Sequence, residues 1–304
     1  MIKTNCFGEV LAGRPVFIPG IYDALSARFM ETNEFSAMYL PADCVAASFC
    51  GVPDASLISS ADLVDVVQRI TALSTVSLIV DVDAGFGSEI NVIRTCERIS
   101  ACGARAVCLS DRIYLRKPLS MEVQPAGNYY SKLDAAIYAL ADQDCDVIAK
   151  IDAYATLGLD EAIARANVAI QHGAAAACIT GVKKREDLEQ ICARVKGICI
   201  YEMVSEGEVN FTFDELVNMG FSAVWAPYVS VSGAMTCIKE LADAAMEAKN
   251  DFRAEERGYS TYAKFELLKI HEWYALGKKF NSEVQDAVDI NPDDYLKKQQ
   301  EAKA

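Results

Sequence analysis

The sequence predicts a closed (β/α)8 barrel, the TIM-barrel class, and three observations predict it. Eight short apolar runs recur between Pro15 and Trp225. Stretches of helical periodicity lie between most of them. The runs are continuously apolar, not alternating, which marks strands buried on both faces, and strands joined by helices run parallel.

In order, the runs are Pro15–Pro19, Ala37–Leu40, Val76–Val82, Ala104–Leu109, Asp146–Ile151, Ala174–Thr180, Gly197–Met203 and Phe221–Trp225. The helical stretches are Ala61–Leu73, Glu89–Cys102, Lys132–Leu140, Leu159–His172, Arg185–Val195 and Phe213–Met219. Ser60, Ser88 and Ser131 stand at N-cap positions, and Gly103, Gly173 and Gly220 stand where helices stop and the next strand begins. The runner-up, an open doubly wound sheet, would carry a glycine-rich phosphate loop after its first strand, where this chain has P-G-I-Y-D-A. Residues 1–248 are expected to form the barrel and 249–304 a charged helical extension. Within it, Tyr262, Phe265, Leu268, Trp273 and Leu276 make an apolar stripe over Tyr259–Leu276 that would pack on the barrel or on a second subunit.

Composition narrows the class. A chain of 304 residues that is 52% apolar suits one large domain with an appendage and needs no disulfide staples. Its eleven cysteines are scattered without a C-x-x-C pair, and Cys108, Cys178 and Cys199 lie in apolar runs, as buried thiols in a reducing compartment do. No N-terminal signal pattern and no run of 18 apolar residues appears, so a soluble cytoplasmic protein is expected. A net charge of -14 argues against nucleic acid and anionic membrane as partners. Two histidines, His172 and His271, argue against a histidine-rich metal site or a Ser-His-Asp triad. His172, just before a helix-stop glycine, reads as a cap on terminal carbonyls.

Barrel chemistry sits at the C-terminal ends of the strands. There the third run ends in V-D-V-D-A-G-F-G, Val80–Gly87. Asp81 and Asp83, two apart, point to one face and suit a hard cation such as Mg2+. An Asp at a strand end equally caps a helix or closes a turn. Asp111, Lys150, Asp152 and Glu202 should share this layer, with Asp43 and Asp54 near the rim. Lys150, in a buried strand, calls for an acid partner, Asp81 or Glu202, either as site chemistry or as a structural ion pair.

Taken in order, several motifs resemble the phosphoenolpyruvate mutase/isocitrate lyase superfamily over about residues 10 to 250. They are P-G-I-Y-D-A-L-S-A-R at Pro19–Arg28, A-M-Y-L and V-A-A-S within Ala37–Ser48, and G-V-P-D at Gly51–Asp54. V-D-V-D-A-G-F-G, S-D-R at Ser110–Arg112 and A-K-I-D-A at Ala149–Ala153 complete the set. The resemblance implies a Mg2+-dependent (Mn2+ as the substitute) barrel that makes or breaks C–C or P–C bonds in small 2-oxo or 2-hydroxy acids through an enolate. It implies a small-molecule carboxylate substrate and a homodimer or homotetramer built by swapping a C-terminal helix. It assigns Asp81 and Asp83 to the metal and Asp54 to the loop after strand two.

Elsewhere the chain departs from the pattern. The family's metal-side Glu after strand four is Ser110, the substrate-gripping Arg is Lys150, and the Asn after strand six is Glu202. The small turn that gives backbone N–H groups to a carboxylate reads Pro41-Ala42-Asp43, and proline has no N–H. Tyr39, Asp43, Cys44, Ser110 and Glu202 are the candidate substrate-binding residues. The loop over 112–130 lacks the acid/base cysteine of the isocitrate and methylisocitrate lyases, which argues against those activities. It loosely resembles the phosphonopyruvate branch, with Arg116, Lys117 and Ser120 as candidate catalytic groups beside Lys150 and Asp54.

These substitutions make the pocket less positive, and Arg to Lys loses bidentate carboxylate recognition. The leading expectation is a lyase cleaving or forming a C–C bond next to a carbonyl, on a substrate less anionic than the family norm. The alternatives are a phosphonopyruvate-type P–C mutase or hydrolase, a metal-independent enzyme using Lys150, and an inactive barrel serving as scaffold or ligand-binding partner.

Overall fold

The structure, a computed structural model, describes residues 7–11, 14–113, 122–203, 211–249 and 261–280. All eight expected runs are strands. They are β1 (Val16–Pro19), β2 (Ala37–Leu40), β3 (Ser77–Asp81), β4 (Ala106–Ser110), β5 (Asp146–Ile151), β6 (Ala176–Ile179), β7 (Cys199–Glu202) and β8 (Ala223–Ala226). Each pairs in parallel with its sequence neighbour from β2 through β8, and β8 pairs with β1. A single bridge, Gly20 to Tyr39, with the Ile21 N–H donated to Tyr39 O at 2.8 Å, brings β1 against β2. The sheet is a nearly closed barrel with helices around it.

Side chains alternate across a strand, so each strand feeds two cores. Met38, Leu40, Leu78 and Val80 face the helices in the larger core. Ala37, Tyr39, Ile79, Cys108, Ile148, Cys178, Ile200 and Trp225 fill the barrel interior, with Phe7 buried among them. Continued toward the C-terminal ends, the inward phase runs from Ile79 to Asp81, from Cys108 to Ser110, from Ile148 to Lys150 and from Ile200 to Glu202. The interior is apolar below and ionic above, and the period of two alone decides which residues reach the mouth.

The helices begin and end for local reasons. Ser59, not Ser60, caps Ser60–Thr71, sharing a capping box with Asp62. Ser88 caps Glu89–Ala101 in a box with Asn91. Helix Ala126–Leu140 starts well before the expected Lys132, with Pro125 in the capping position; Ser131 lies inside it and donates to Gly127 O at 3.1 Å. Proline tolerates a helix start because the first N–H groups have no intrahelical partner. Gly173 and Gly220 close their helices at φ 115° and 114°, a left-handed conformation that glycine adopts without strain.

By its packing the chain divides into residues 1–233 and 234–304, inside helix Val229–Ala248. In the second unit the tail carries two helices, Thr261–Leu267 and Ile270–Phe280. Lys269 breaks them with φ 57°, its N–H donated to Glu266 O at 2.9 Å. Phe265, Leu268, Trp273 and Leu276 of the stripe are exposed within that unit. Among the described residues no helix is long and apolar enough to cross a membrane.

Closure of the barrel depends on Gly20. Its N–H donates to Ala226 O at 2.8 Å, its carbonyl accepts Ser230 Oγ at 2.6 Å, and a Cβ there would stand 1.8 Å from Pro227 O. Pro227 is backbone and cannot turn aside. Gly20→Ala is therefore expected to cost about 2 kcal/mol or more of stability by denaturant titration. A cost under about 0.5 kcal/mol would mean that the β8–β1 corner is not close-packed.

Candidate functional site

The ends of six strands and the loops after them line one pocket at the barrel mouth. Tyr39, Asp43, Asp54, Asp81, Asp83, Ser110, Lys150 and Glu202, eight of the sequence candidates, meet on it. Cys44 does not. It is buried behind the wall, its thiol toward Pro227 O at 3.8 Å and its N–H donated to Asp43 Oδ1 at 2.8 Å. Burial, and then Asp43, push that thiol far above the ordinary cysteine range. Arg116, Lys117 and Ser120 lie outside the described residues.

Lys150 stands at the centre. Its Nζ donates to Tyr39 Oη at 3.1 Å and to Asp81 Oδ2 at 3.1 Å. Glu202 Oε2 lies 2.9 Å away and completes the charge pairing of the ammonium. Burial alone would strip the proton from the amine, yet Asp81, Glu202 and Tyr39 outweigh it and hold Lys150 well above the usual lysine range. It is an ammonium at neutral pH. Burial raises Glu202 from its ordinary value, with Lys150 pulling the other way. Tyr39 donates to Asp81 Oδ2 at 2.8 Å and stacks on Trp225 with centroids 4.4 Å apart, which fixes the ring.

A second network lies beside the first. Asp152 accepts from Ser110 Oγ at 2.8 Å and Thr180 Oγ1 at 2.6 Å, and pairs with Arg112 at 2.8 Å. Burial pushes its pKa up, but Arg112 and Lys150 overcome that and hold it below the usual aspartate value. Behind it, Asp111 accepts the Asp152 N–H at 2.7 Å and pairs with the buried Arg165 at 3.0 Å. Burial and the nearby Asp152 push Asp111 up to about 6. Asp83 sits in a left-handed conformation at φ 49° and donates its N–H to Asp81 Oδ1 at 2.8 Å. Burial, then Asp81, push its carboxyl up to about 7, with Arg112 opposing.

The loop after β2 departs from an open turn. Pro41-Ala42-Asp43 enters a short helix, Ala42–Val45, followed by a π turn, Ala46–Cys50, closed by Gly51 at φ 66°. The turn thus aims a carboxylate, Asp43, at the pocket. Arg112, Asp152, Pro227 and Tyr228 also line it. Arg112 was visible only as the end of S-D-R. Tyr228 lies just past the end of β8, and its place beyond a strand end was the signal available for it. His172 caps no carbonyl; its Nδ1 lies 2.7 Å from Asp134, on the outer surface.

A divalent ion does not fit this donor set. Asp81 Oδ1 is taken by the Asp83 N–H and Oδ2 by Tyr39 and Lys150. Ser110 is neutral, donating to Asp152 and accepting the Arg112 N–H at 3.0 Å. Among the described residues no group of three acidic, histidine or cysteine side chains converges to hold an ion.

The family model for phosphoenolpyruvate phosphomutase matches residues 9–246. The petal death protein of Dianthus caryophyllus is 31% identical over 88% of this chain and 86% of its own length. The 2,3-dimethylmalate lyase of Eubacterium barkeri is 28% identical over 80% and 85%. The solved structure of phosphonopyruvate hydrolase with oxalate and Mg++ superposes with a TM-score of 0.81, at 22% identity over 89% of this chain and 96% of that one, a likeness of fold.

The titration of Asp83 is open to test. With its native pKa near 7 and its ordinary value near 4, the folded protein holds a proton between those limits that the unfolded chain has released. The charged form is thus penalised in the fold, and stability falls as pH rises from about 4 to about 7 and levels off above that. Asp83→Asn removes the penalty, so the variant should gain on the wild type by about 2 kcal/mol more at pH 8 than at pH 5.5. Denaturation curves at both pH values give the difference; an equal gap at both would place Asp83 in the ordinary carboxylate range.

Proposed function

The chain belongs to the phosphoenolpyruvate phosphomutase family, and on that premise we propose a carbon–carbon lyase acting on a small 2-oxo or 2-hydroxy acid less anionic than a di- or tricarboxylate. One observation carries the substrate reading. Six carboxylates, Asp43, Asp54, Asp81, Asp83, Asp152 and Glu202, line the pocket against two cations, Lys150 and Arg112. A second anionic group on the substrate would enter against that field. A hydroxyl or ammonium would instead bring a donor to the carboxylates that line the pocket.

The residues present divide the work. Lys150, held as an ammonium, acts as a point charge toward a developing enolate oxygen and not as a Schiff-base nucleophile, which needs the neutral amine. Asp83, titrating near 7, suits a general base at a substrate hydroxyl. As it takes the hydroxyl proton a carbonyl forms, the adjacent C–C bond breaks, and the electron pair moves to the second fragment as its enolate, which is then protonated. Tyr39, stacked on Trp225, keeps Lys150 in place, and Asp43 and Glu202 accept from the remaining polar substituent.

The P–C alternative fares worse, because a phosphonyl group would bring further negative charge into the same field. The second reading is a binding barrel without turnover; the closed contacts of Lys150 with Asp81 and Glu202 favour it as a structural ion-pair cluster. Pyruvate in deuterated water separates the two, because enolate formation exchanges its methyl protons. The folded wild type should deuterate the methyl group by NMR, and Asp83→Asn and Lys150→Met should each lower the rate by about 100-fold. A folded wild type that neither exchanges pyruvate nor cleaves neutral or amino-substituted 2-hydroxy acids would leave the binding barrel as the reading.

A further inference from the structure

We propose that the Lys150 ammonium has taken over the place of a divalent cation in this pocket, so that the protein carries its cation on its own chain and refuses Mg2+ and Mn2+. This concerns the cation alone and stands or falls independently of the lyase reading.

The position is defined by the surroundings of Nζ. Three oxygens from three elements enclose it: Tyr39 Oη from β2 at 3.1 Å, Asp81 Oδ2 from β3 at 3.1 Å and Glu202 Oε2 from β7 at 2.9 Å. That is an oxygen cage with a nitrogen cation inside it. An ion on Asp81 Oδ2 would lie within roughly 5 Å of the ammonium, since ion–oxygen bonds are about 2 Å and Oδ2 is 3.1 Å from Nζ. Two cations at that distance repel strongly in a half-dry site. The other oxygen of Asp81 is held by a backbone N–H, which cannot swing away without moving the left-handed Asp83.

The neighbours on the strands either side of β5 offer no replacement ligand. Lys150 lies between Ser110 of β4 and Cys178 of β6 in the strand register. Ser110 is committed to Asp152, and Cys178 is fully buried in the interior. On the far side, Tyr39 is clamped by Trp225 and its ring centroid lies 5.7 Å from Nζ, so the cage wall that faces the lysine is rigid.

The test is direct titration of Mn2+ followed by the loss of the free-ion electron paramagnetic resonance signal, with and without pyruvate. The wild type should show no site tighter than about 1 mM under either condition. Lys150→Met removes the competing cation while leaving Asp81 and Glu202, and should bind Mn2+ at least about tenfold more tightly than the wild type. If that variant does not fold, Lys150→Met with Glu202→Gln removes one charge of each sign and should show the same gain. A wild type that takes up one Mn2+ with micromolar affinity, alone or with pyruvate, overturns the proposal. So does a folded variant that binds no more tightly than the wild type.

Discussion

A buried ammonium held by two carboxylates and a phenol leaves little freedom to the residues around it. Lys150 has lost most of its water, and a charge in that condition persists only if other charges stand close. Asp81 and Glu202 meet the need and exceed it by one unit. Burial first, and the neighbouring acids second, drive Asp83 toward neutrality and keep Tyr39 protonated, and Asp152 pairs with Arg112. Removing one partner would leave its counterpart buried and unpaired, a cost of about 3–5 kcal/mol, so the cluster changes as a unit or not at all.

The barrel supports that cluster by arithmetic of the strand. Inward-facing residues alternate, so the rows that bury Ile79, Ile148 and Ile200 also deliver Asp81, Lys150 and Glu202 to one height at the mouth. The apolar interior beneath them excludes water, and that makes each charge above it count for more. Packing and electrostatics share side chains at Tyr39 and Trp225: the stacked pair fills the top of the interior and orients the phenol toward Asp81 and Lys150.

Much of this was legible in the sequence, for reasons that differ by element. Continuous apolar runs and helix-stop glycines mark the eight units because burial on both faces and a positive φ each demand particular residue types. Lys150 could be seen to need an acid, and both acids named for it are its partners. Other features were hidden. Helix Ala126–Leu140 starts on a proline where a serine looked like the cap. Cys44 turns away from the pocket because Asp43 and Cys44 open a helix, where consecutive side chains point in different directions. The role of Arg165 depends on a partner 54 positions away, Asp111, and no local pattern announces such a contact.

The acidic lining of the pocket also limits what binding can do. A site built from Arg forks and backbone N–H groups attracts carboxylates at a distance and orients them on arrival. Here Arg112 is committed to Asp152 and Lys150 to Asp81, so neither is a loose hand for a carboxylate. The rest of the lining is acceptor-rich, with Asp43, Asp54 and Glu202 all on the pocket. Recognition in such a pocket must run through donors on the ligand, and discrimination follows from the cost of leaving those acceptors unmet. The ammonium at the pocket floor and the acceptors around it are therefore coupled through Glu202, which pairs with Lys150 and lines the pocket.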